Sequence, residues 1–546
     1  MPPPADPRFY YLANFHTVLD WLDARYADLL DADELAFIHG FRQLPRNAQA
    51  LLVRLMMRKG PHFRASKLDY AEIGCPHEAA APLLAAGWLL ADAELDVDAL
   101  AGLLLKHELA ALFDPAPRRA ARKAELLATL QASELPPRAF SQWCPELAEQ
   151  LYSFTLGVLC ERLRLMFFGN LHQDWSEFVL AELGILRYEQ VPFSEASRGF
   201  ASRAEIDAHL LLQRCREAFE AGAELAPLVE VVRALPCTSV HLQRRRERLL
   251  YHIGQQFERL AQPALAEQVY VECAHPAARH RRVRALEALG QAEQALALAS
   301  SALDAPQDAA ETQLMERAVV RLRRALGHEP TPRSKPPAPQ RLDLQLLPAP
   351  DLSVEQCVQA HLNAPDAPVH YVENTLVCSL FGLLCWEAIF LPLPGAFFHP
   401  FHAGPADLLD PGFAARRQGA FDACLARLGD GSYRAAMHAT YQAKHGLQSP
   451  FVYWELLDEA LLQQALDCLP AAHLEAWFRR LLQDIAANRA GMPALIQFHP
   501  AERGYRMIEV KGPGDRLQDN QKRWLSFCAE HGMPVSVCYV TWSDVA

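Results

Sequence analysis

The chain has no basic excess: 53 Lys and Arg stand against 65 Asp and Glu, a formal net charge of −12. That argues against a uniformly basic nucleic-acid binder. It leaves room for one that gathers its cations locally, because a phosphate senses the nearby field and not the total. The thirteen cysteines are scattered, with no CxxC pair and no His/Cys spacing of the zinc type. Reduced, cytosolic thiols are therefore expected, not a disulfide frame. The start, MPPPADPRFYYLANF, lacks a basic segment followed by an apolar one, so no secretory leader is expected. A long uninterrupted apolar run is missing too. The most apolar stretch, Leu376 to Leu393, is broken by Glu387 and then by prolines, and it reads as a core helix with no membrane partner.

What is present is size and helical patterning. At 546 residues, 51% of them hydrophobic, the chain has material for roughly three or four domains of about 150 residues each. Residues 1 to about 90 read as largely helical, with Asp31 and Glu34 spaced as a capping box and a short strand or hairpin at Gly87-Trp88-Leu89-Leu90. Two short helical patterns then flank a proline-containing turn that carries Arg118, Arg119, Arg122 and Lys123. They are read either as a backbone-docking pair or as an ordinary helical hairpin. From about 150 to 326 the pattern is helical again. Gly254 and Gly290 lie 36 residues apart, near the roughly 34-residue period of tetratricopeptide units. Between Gly327 and Pro350 stand seven prolines. Such density predicts a linker or extended arm over 327–351.

The most definite chemistry is near the C-terminus. Tyr505 to Lys511 (YRMIEVK) reads as a strand. With period-two alternation, Glu509 and Lys511 project together while Ile508 and Val510 face a core. A glutamate can hold magnesium or manganese through oxygen, and a lysine beside it can orient water or steady charge on a phosphorane. The pair is also consistent with an exposed ion pair of little energetic weight. A second strand is expected at Pro493 to Phe498, a helix from about Leu517 to His531 and a strand from Val535 to Val540. The loop Gly512-Pro513-Gly514-Asp515 has the flexibility to bring backbone amides to a phosphate.

Cations are segregated along the chain. Arg54, Arg58, Lys59, Arg64 and Lys67 form one cluster; Arg244, Arg245, Arg246 and Arg248 a second; Arg279, Arg281, Arg282 and Arg284, with His280, a third. Each is either a solvated helix face or a set of phosphate contacts, and beside a phosphodiesterase-like strand the second reading is favoured. Arg416, Arg417, Arg434 and Lys444 are equally open to either reading.

The order of the last elements, with Glu-Val-Lys on the second strand, resembles the αβββαβ core of the PD-(D/E)xK nucleases. EVKGPGDRLQDNQKRWL (Glu509 to Leu525) looks like the signature of VRR-NUC domains. VENTLVCSLFGLLCWEAIF (Val372 to Phe390), RAGMPALIQF (Arg489 to Phe498) and LLVRLMMRKGPHFRASKLDYAEI (Leu51 to Ile73) are similar to segments of the Fanconi-associated nuclease family. The resemblance implies a mostly α-helical N-terminal two-thirds and a C-terminal α/β nuclease domain of the PD-(D/E)xK type. It divides the chain into an N-terminal helical DNA-binding domain (1–94), a SAP-like domain (95–150), a tetratricopeptide-like domain (151–326), the linker, and a VRR-NUC domain (352–546). It implies cleavage of 5′ flaps and 5′-to-3′ trimming of branched DNA in interstrand crosslink repair, with Mg2+ or Mn2+ as cofactor, in a bacterial-type cytoplasm where the bound protein is nucleoid-associated.

By the same resemblance, Glu373 and Glu509 are metal-binding carboxylates, the Val510 carbonyl is a further metal oxygen, and Lys511 is the catalytic lysine. The remaining ligand should be an aspartate directly after Gly-x-Pro, but this chain reads Gly491-Met492-Pro493-Ala494. An alanine offers no oxygen to a hard cation, so Ala494 is expected to inactivate the site. DNA contacts are expected from the first cluster, from Arg244, Arg245, Arg246, Arg279, Arg281 and Arg282, and from Gln521 and Lys522. Glu373 also reads as a first-turn carboxylate favouring a helix dipole, and Trp524 as core packing. The competing functions are a Holliday-junction resolvase and a catalytically dead scaffold for branched DNA.

Overall fold

The computed structural model describes residues 7–113, 122–176, 186–194, 197–329 and 339–543. Arg118 and Arg119 lie outside the described residues. The chain divides into two compact units, one over 1–186 and 200–206, the other over 187–199 and 207–546.

The first unit begins with helices α1 (Tyr10–Tyr26), α2 (Ala32–Gln43) and α3 (Arg46–Met56). The capping box at α2 is formed: Glu34 N donates to Asp31 Oδ1 at 2.8 Å and Asp31 N to Glu34 Oε2 at 2.9 Å. Arg203 pairs with both carboxylates, the buried Glu34 at 2.6 Å and the partly exposed Asp31 at 2.9 Å. A small antiparallel sheet is made by β1 (His62–Arg64), β2 (Leu89–Ala91) and β3 (Leu151–Phe154), with β3 in the centre. The expected boundary at 150 and helical pattern from 151 are corrected here: residues 151–154 close the N-terminal sheet, and their ladder bonds hold them in this unit.

In the second unit, α4 (Val240–Arg259), α5 (Pro263–Val271), α6 (Ala278–Ala288), α7 (Ala292–Asp304) and α8 (Ala309–Ala325) follow one another as packed helices. The two glycines that suggested a repeat do different work. Gly254 lies inside α4, where a Cβ would come within 2.5 Å of the Tyr270 ring. Gly290 turns the chain after α6 with φ +74°, as Ala261 does after α4 with φ +55°.

The C-terminal part holds a five-stranded mixed sheet. Its strands are β4 (Gln340–Leu346), β5 (Val369–Tyr371), β6 (Leu495–His499), β7 (Gly504–Lys511) and β8 (Val535–Trp542), in the order β4-β8-β7-β6-β5. The strand β4 corrects the linker expectation. Leu342, Leu344 and Leu346 alternate into the core while Arg341, Asp343 and Gln345 point out, and the run pairs in parallel with β8. An edge strand needs only one laddered side, and the prolines stand outside its ends at 339, 348 and 350. Helix α9 (Val354–Leu362) contributes Cys357 and Val358 to a cluster with Leu495, Ile508, Val510 and Cys538. A larger cluster surrounds α10 (Leu376–Leu384), all nine residues of which are buried. Among the described residues no helix is long and apolar enough to cross a membrane.

Candidate active site

Alternation along β7 sends Ile508 and Val510 into the apolar cluster and leaves Glu509 and Lys511 side by side. Both are buried, and the Lys511 ammonium lies 2.8 Å from Glu509 Oε1. The exposed-pair reading is therefore corrected: two charges taken from water at one point need partners, and here they have each other. Burial pushes the Glu509 carboxyl above its ordinary value. Lys511 opposes that shift, and the negative charges of Glu373 and Glu355 add to it. These causes bring Glu373 and Glu355 into the electrostatic neighbourhood of Glu509.

Helix α11 (Asp519–Glu530) supplies the third contact. Gln521 Oε1 accepts from Gln518 N at 2.8 Å, closing the helix start, while its Nε2 donates to Glu509 Oε1 at 2.7 Å. The Gln521 amide is thus held on the carboxylate. Trp524, on the same helix, is buried beneath the Arg480 guanidinium as core packing.

Glu373 sits in the turn after β5. The helix behind it begins at Leu376 with no acidic residue in its first turn, which removes the helix-dipole reading. Tyr371 donates its hydroxyl to Glu373 Oε2 at 2.7 Å; this bond is the largest cause raising the phenol to about 12. Asn374 adopts φ +57°. Its Oδ1 accepts from Gly491 N at 2.7 Å and Met492 N at 3.0 Å, tying the Glu373 turn to the loop before β6. Tyr371, Asn374 and Glu355 were not anticipated. The asparagine was the most discoverable, being a residue that tolerates left-handed backbone next to an expected ligand.

Ala494 precedes β6 and is buried; its carbonyl accepts from Val372 N at 2.9 Å. Since Leu495 pairs with Ile508 in an antiparallel ladder, position 494 lies one rung on, across from Glu509. A carboxylate there would stand beside the one at 509. The loop after β7 is less available to a phosphate than expected, because Gly512 N donates to Asp515 Oδ2 at 2.9 Å.

The basic clusters are mostly engaged within the chain. Arg54 meets Glu72 at 2.6 Å, and Arg64 meets Glu108 at 2.7 Å and Glu149 at 3.0 Å. Arg244 pairs with Asp410, Arg246 with Glu247 at 2.8 Å, and Arg245 contacts His209 and Gln213. Arg279 binds Glu311 at 2.5 Å, Arg281 binds Glu258, and Arg282 binds Glu267 at 2.8 Å. Lys522 is 3.5 Å from Asp519. Between β5 and β6, Arg416 and Arg417 share Asp407, Arg434 reaches Asp467 and Lys444 reaches Glu189. Arg58 lies over the Tyr70 ring, and Arg58, Lys59 and Lys67 have no carboxylate partner among the described residues.

Comparison with known proteins gives this geometry its context. Residues 9–90 match the model of the FAN1, HTH domain, 94–143 the Fanconi anemia-associated nuclease SAP domain, and 428–542 the VRR-NUC domain. The chain is 54% identical to the Fanconi-associated nuclease 1 homolog of Pseudomonas aeruginosa over 542 residues, covering 99% of this chain and 97% of that one. The chain belongs to the Fanconi-associated nuclease 1 family. It is thereby a structure-specific DNA nuclease of a metal-dependent family, with a mostly helical N-terminal region and a C-terminal VRR-NUC domain. The human Fanconi-associated nuclease 1 is 34% identical over 197 residues, 34% of this chain and 19% of its own. The crystal structure of paFAN1 bound to 2nt 5′flap DNA with gap superposes with a TM-score of 0.94 at 54% identity, covering 100% of both chains.

Against the family's metal requirement, the residues of this chain do not make a complete fit. Glu373, Glu509 and the Val510 carbonyl remain, but Ala494 contributes no oxygen. Among the described residues no group of three or more His, Cys, Asp or Glu is arranged to hold a metal ion.

Proposed function

We propose that the chain recognises 5′-flap DNA and that its site descends from a flap endonuclease and 5′-to-3′ exonuclease of interstrand crosslink repair, served by Mg2+ or Mn2+. One observation carries this reading: Glu509, Lys511 and Gln521 meet in a single buried contact, in a chain whose relative paFAN1 was crystallised on a 5′ flap. With a carboxylate restored at 494, Glu373, Glu509 and the Val510 carbonyl would be the further groups to hold a divalent cation, whose chemistry is to acidify water and neutralise charge on oxygen. The chain's own part is to hold Lys511 where the scissile phosphate gathers charge, oriented by Glu509. Phosphate grip is assigned to Arg58, Lys59 and Lys67 in the N-terminal part. The packed helices α4 to α8 and the SAP-like segment are read as supports for the duplex, with 151–154 assigned to the N-terminal part and 340–346 to the nuclease domain.

Ala494 turns this reading toward a chain that holds branched DNA and cuts it poorly. Ala494→Asp should raise cleavage of a 5′ flap in Mn2+ by about a hundredfold, equivalent to about 2.7 kcal/mol of barrier. No gain in cutting would favour the alternative, a catalytically dead scaffold, which the missing carboxylate also supports.

A further inference from the structure

The last of the consecutive packed helices, α8, is bonded directly to the helix that touches the cleavage site. Arg317 donates to both oxygens of Asp519, at 2.5 Å and 2.7 Å. Arg523 Nη1 donates to Gln313 Oε1 at 2.8 Å. Gln313 and Arg317 are one turn apart on α8; Asp519 and Arg523 are one turn apart on α11. The two contacts therefore form a rigid pair of rungs rather than one swinging bond, and a bidentate guanidinium fixes angle as well as distance.

Between those rungs on α11 lies Gln521, whose amide is committed at both ends. Its oxygen takes the Gln518 N–H and its nitrogen donates to Glu509. Asp519 is the first residue of the helix, so the bond to Arg317 sets where that helix starts. A shift of the start would carry Gln521 off the carboxylate, and Glu509 would be left with Lys511 alone.

We propose that Arg317 is a positioning residue for phosphodiester cleavage: by gripping Asp519 from α8 it fixes the Gln521 amide on Glu509, coupling the packed helices to the site. The proposal rests on the site reading given above for Glu509 and Lys511. Partners that orient a reacting carboxylate without touching substrate are worth about tenfold or more in rate.

The test uses the full chain carrying Ala494→Asp, with kcat and KM measured on a 5′ flap in Mn2+. Arg317→Ala should lower kcat about tenfold with KM unchanged, Gln521→Ala should do the same, and the two together should lose no more than either alone. A rise in KM at constant kcat, or losses that multiply, would overturn the proposal. Glu509→Gln run alongside separates the two readings, since unimpaired cutting there would discard the site itself and not the coupling. A second measurement needs no cleavage. In the chain as it stands, Arg317→Ala should speed amide hydrogen exchange across 512–523 and leave β4 unchanged, and unaltered exchange across 512–523 would also overturn it.

Discussion

Glu509 is caught between opposing influences, and the balance has a readable pH signature. Burial favours its neutral form, Lys511 favours the charged one, and burial wins. A carboxyl raised in the fold binds its proton more tightly than in the unfolded chain, so its ionisation works against the fold as pH climbs above the ordinary value. Replacing Lys511 with Met removes the influence that restrains the rise. The Glu509 carboxyl, followed by carbon-detected NMR, should then titrate at still higher pH. Relative to the parent, Lys511→Met should lose stability progressively as pH rises through the parent's Glu509 transition, with little such loss below it. Each tenfold weakening of the acid costs about 1.4 kcal/mol above that window. A loss of stability that did not grow with pH would mean that the two groups are not coupled. The pairing itself was legible, because EVK on a strand permits only one geometry. Its burial was not, since that depends on a helix ten or more residues away, which brings Gln521 onto the carboxylate.

Among the elements, the loop before β6 shows what local pattern can and cannot convey. Gly-Met-Pro-Ala ahead of a short apolar run announced a strand, and β6 runs over Leu495–His499. The sequence could not announce that Gly491 adopts φ +95° with Asn520 pressed against it. A Cβ at that position would lie 2.8 Å from the Asn520 side chain and 2.9 Å from its backbone carbon. Backbone cannot swing aside as a side-chain tip can, and α11 starts there. Gly491→Ala should thus cost about 2–4 kcal/mol, combining left-handed strain with overpacking, measured as a lower denaturant midpoint at constant slope. An unchanged midpoint would show that the loop and α11 separate freely. The same limit explains β4, whose alternation QRLDLQL is masked by the prolines that crowd its flanks. It explains the repeats as well: Gly254 and Gly290 share a spacing by coincidence, one giving way to a tyrosine ring and the other making a turn.

At the scale of the whole molecule the governing quantity is charge, and here clustering along the chain misleads in a specific way. Arginines close together in sequence read as a set free for phosphate, but helices that follow one another bring Glu258, Glu267 and Glu311 onto Arg281, Arg282 and Arg279. An arginine already sharing a carboxylate must surrender it to bind a phosphate, and the exchange gains little. Cations without an acid partner release counterions from DNA at full strength. The two classes should separate by salt. Lys59→Ala should weaken 5′-flap binding and flatten the slope of log affinity against log salt by about 0.9, the value for one lost phosphate contact on duplex. Arg282→Gln should leave that slope unchanged while lowering the denaturation midpoint, because its loss unpairs Glu267 and loosens the contact between α5 and α6. If the slopes responded the other way round, the ion pairs among α4 to α8 would be latent DNA contacts that open on binding, and the acidic net charge would be a reservoir of competitors for the phosphate backbone.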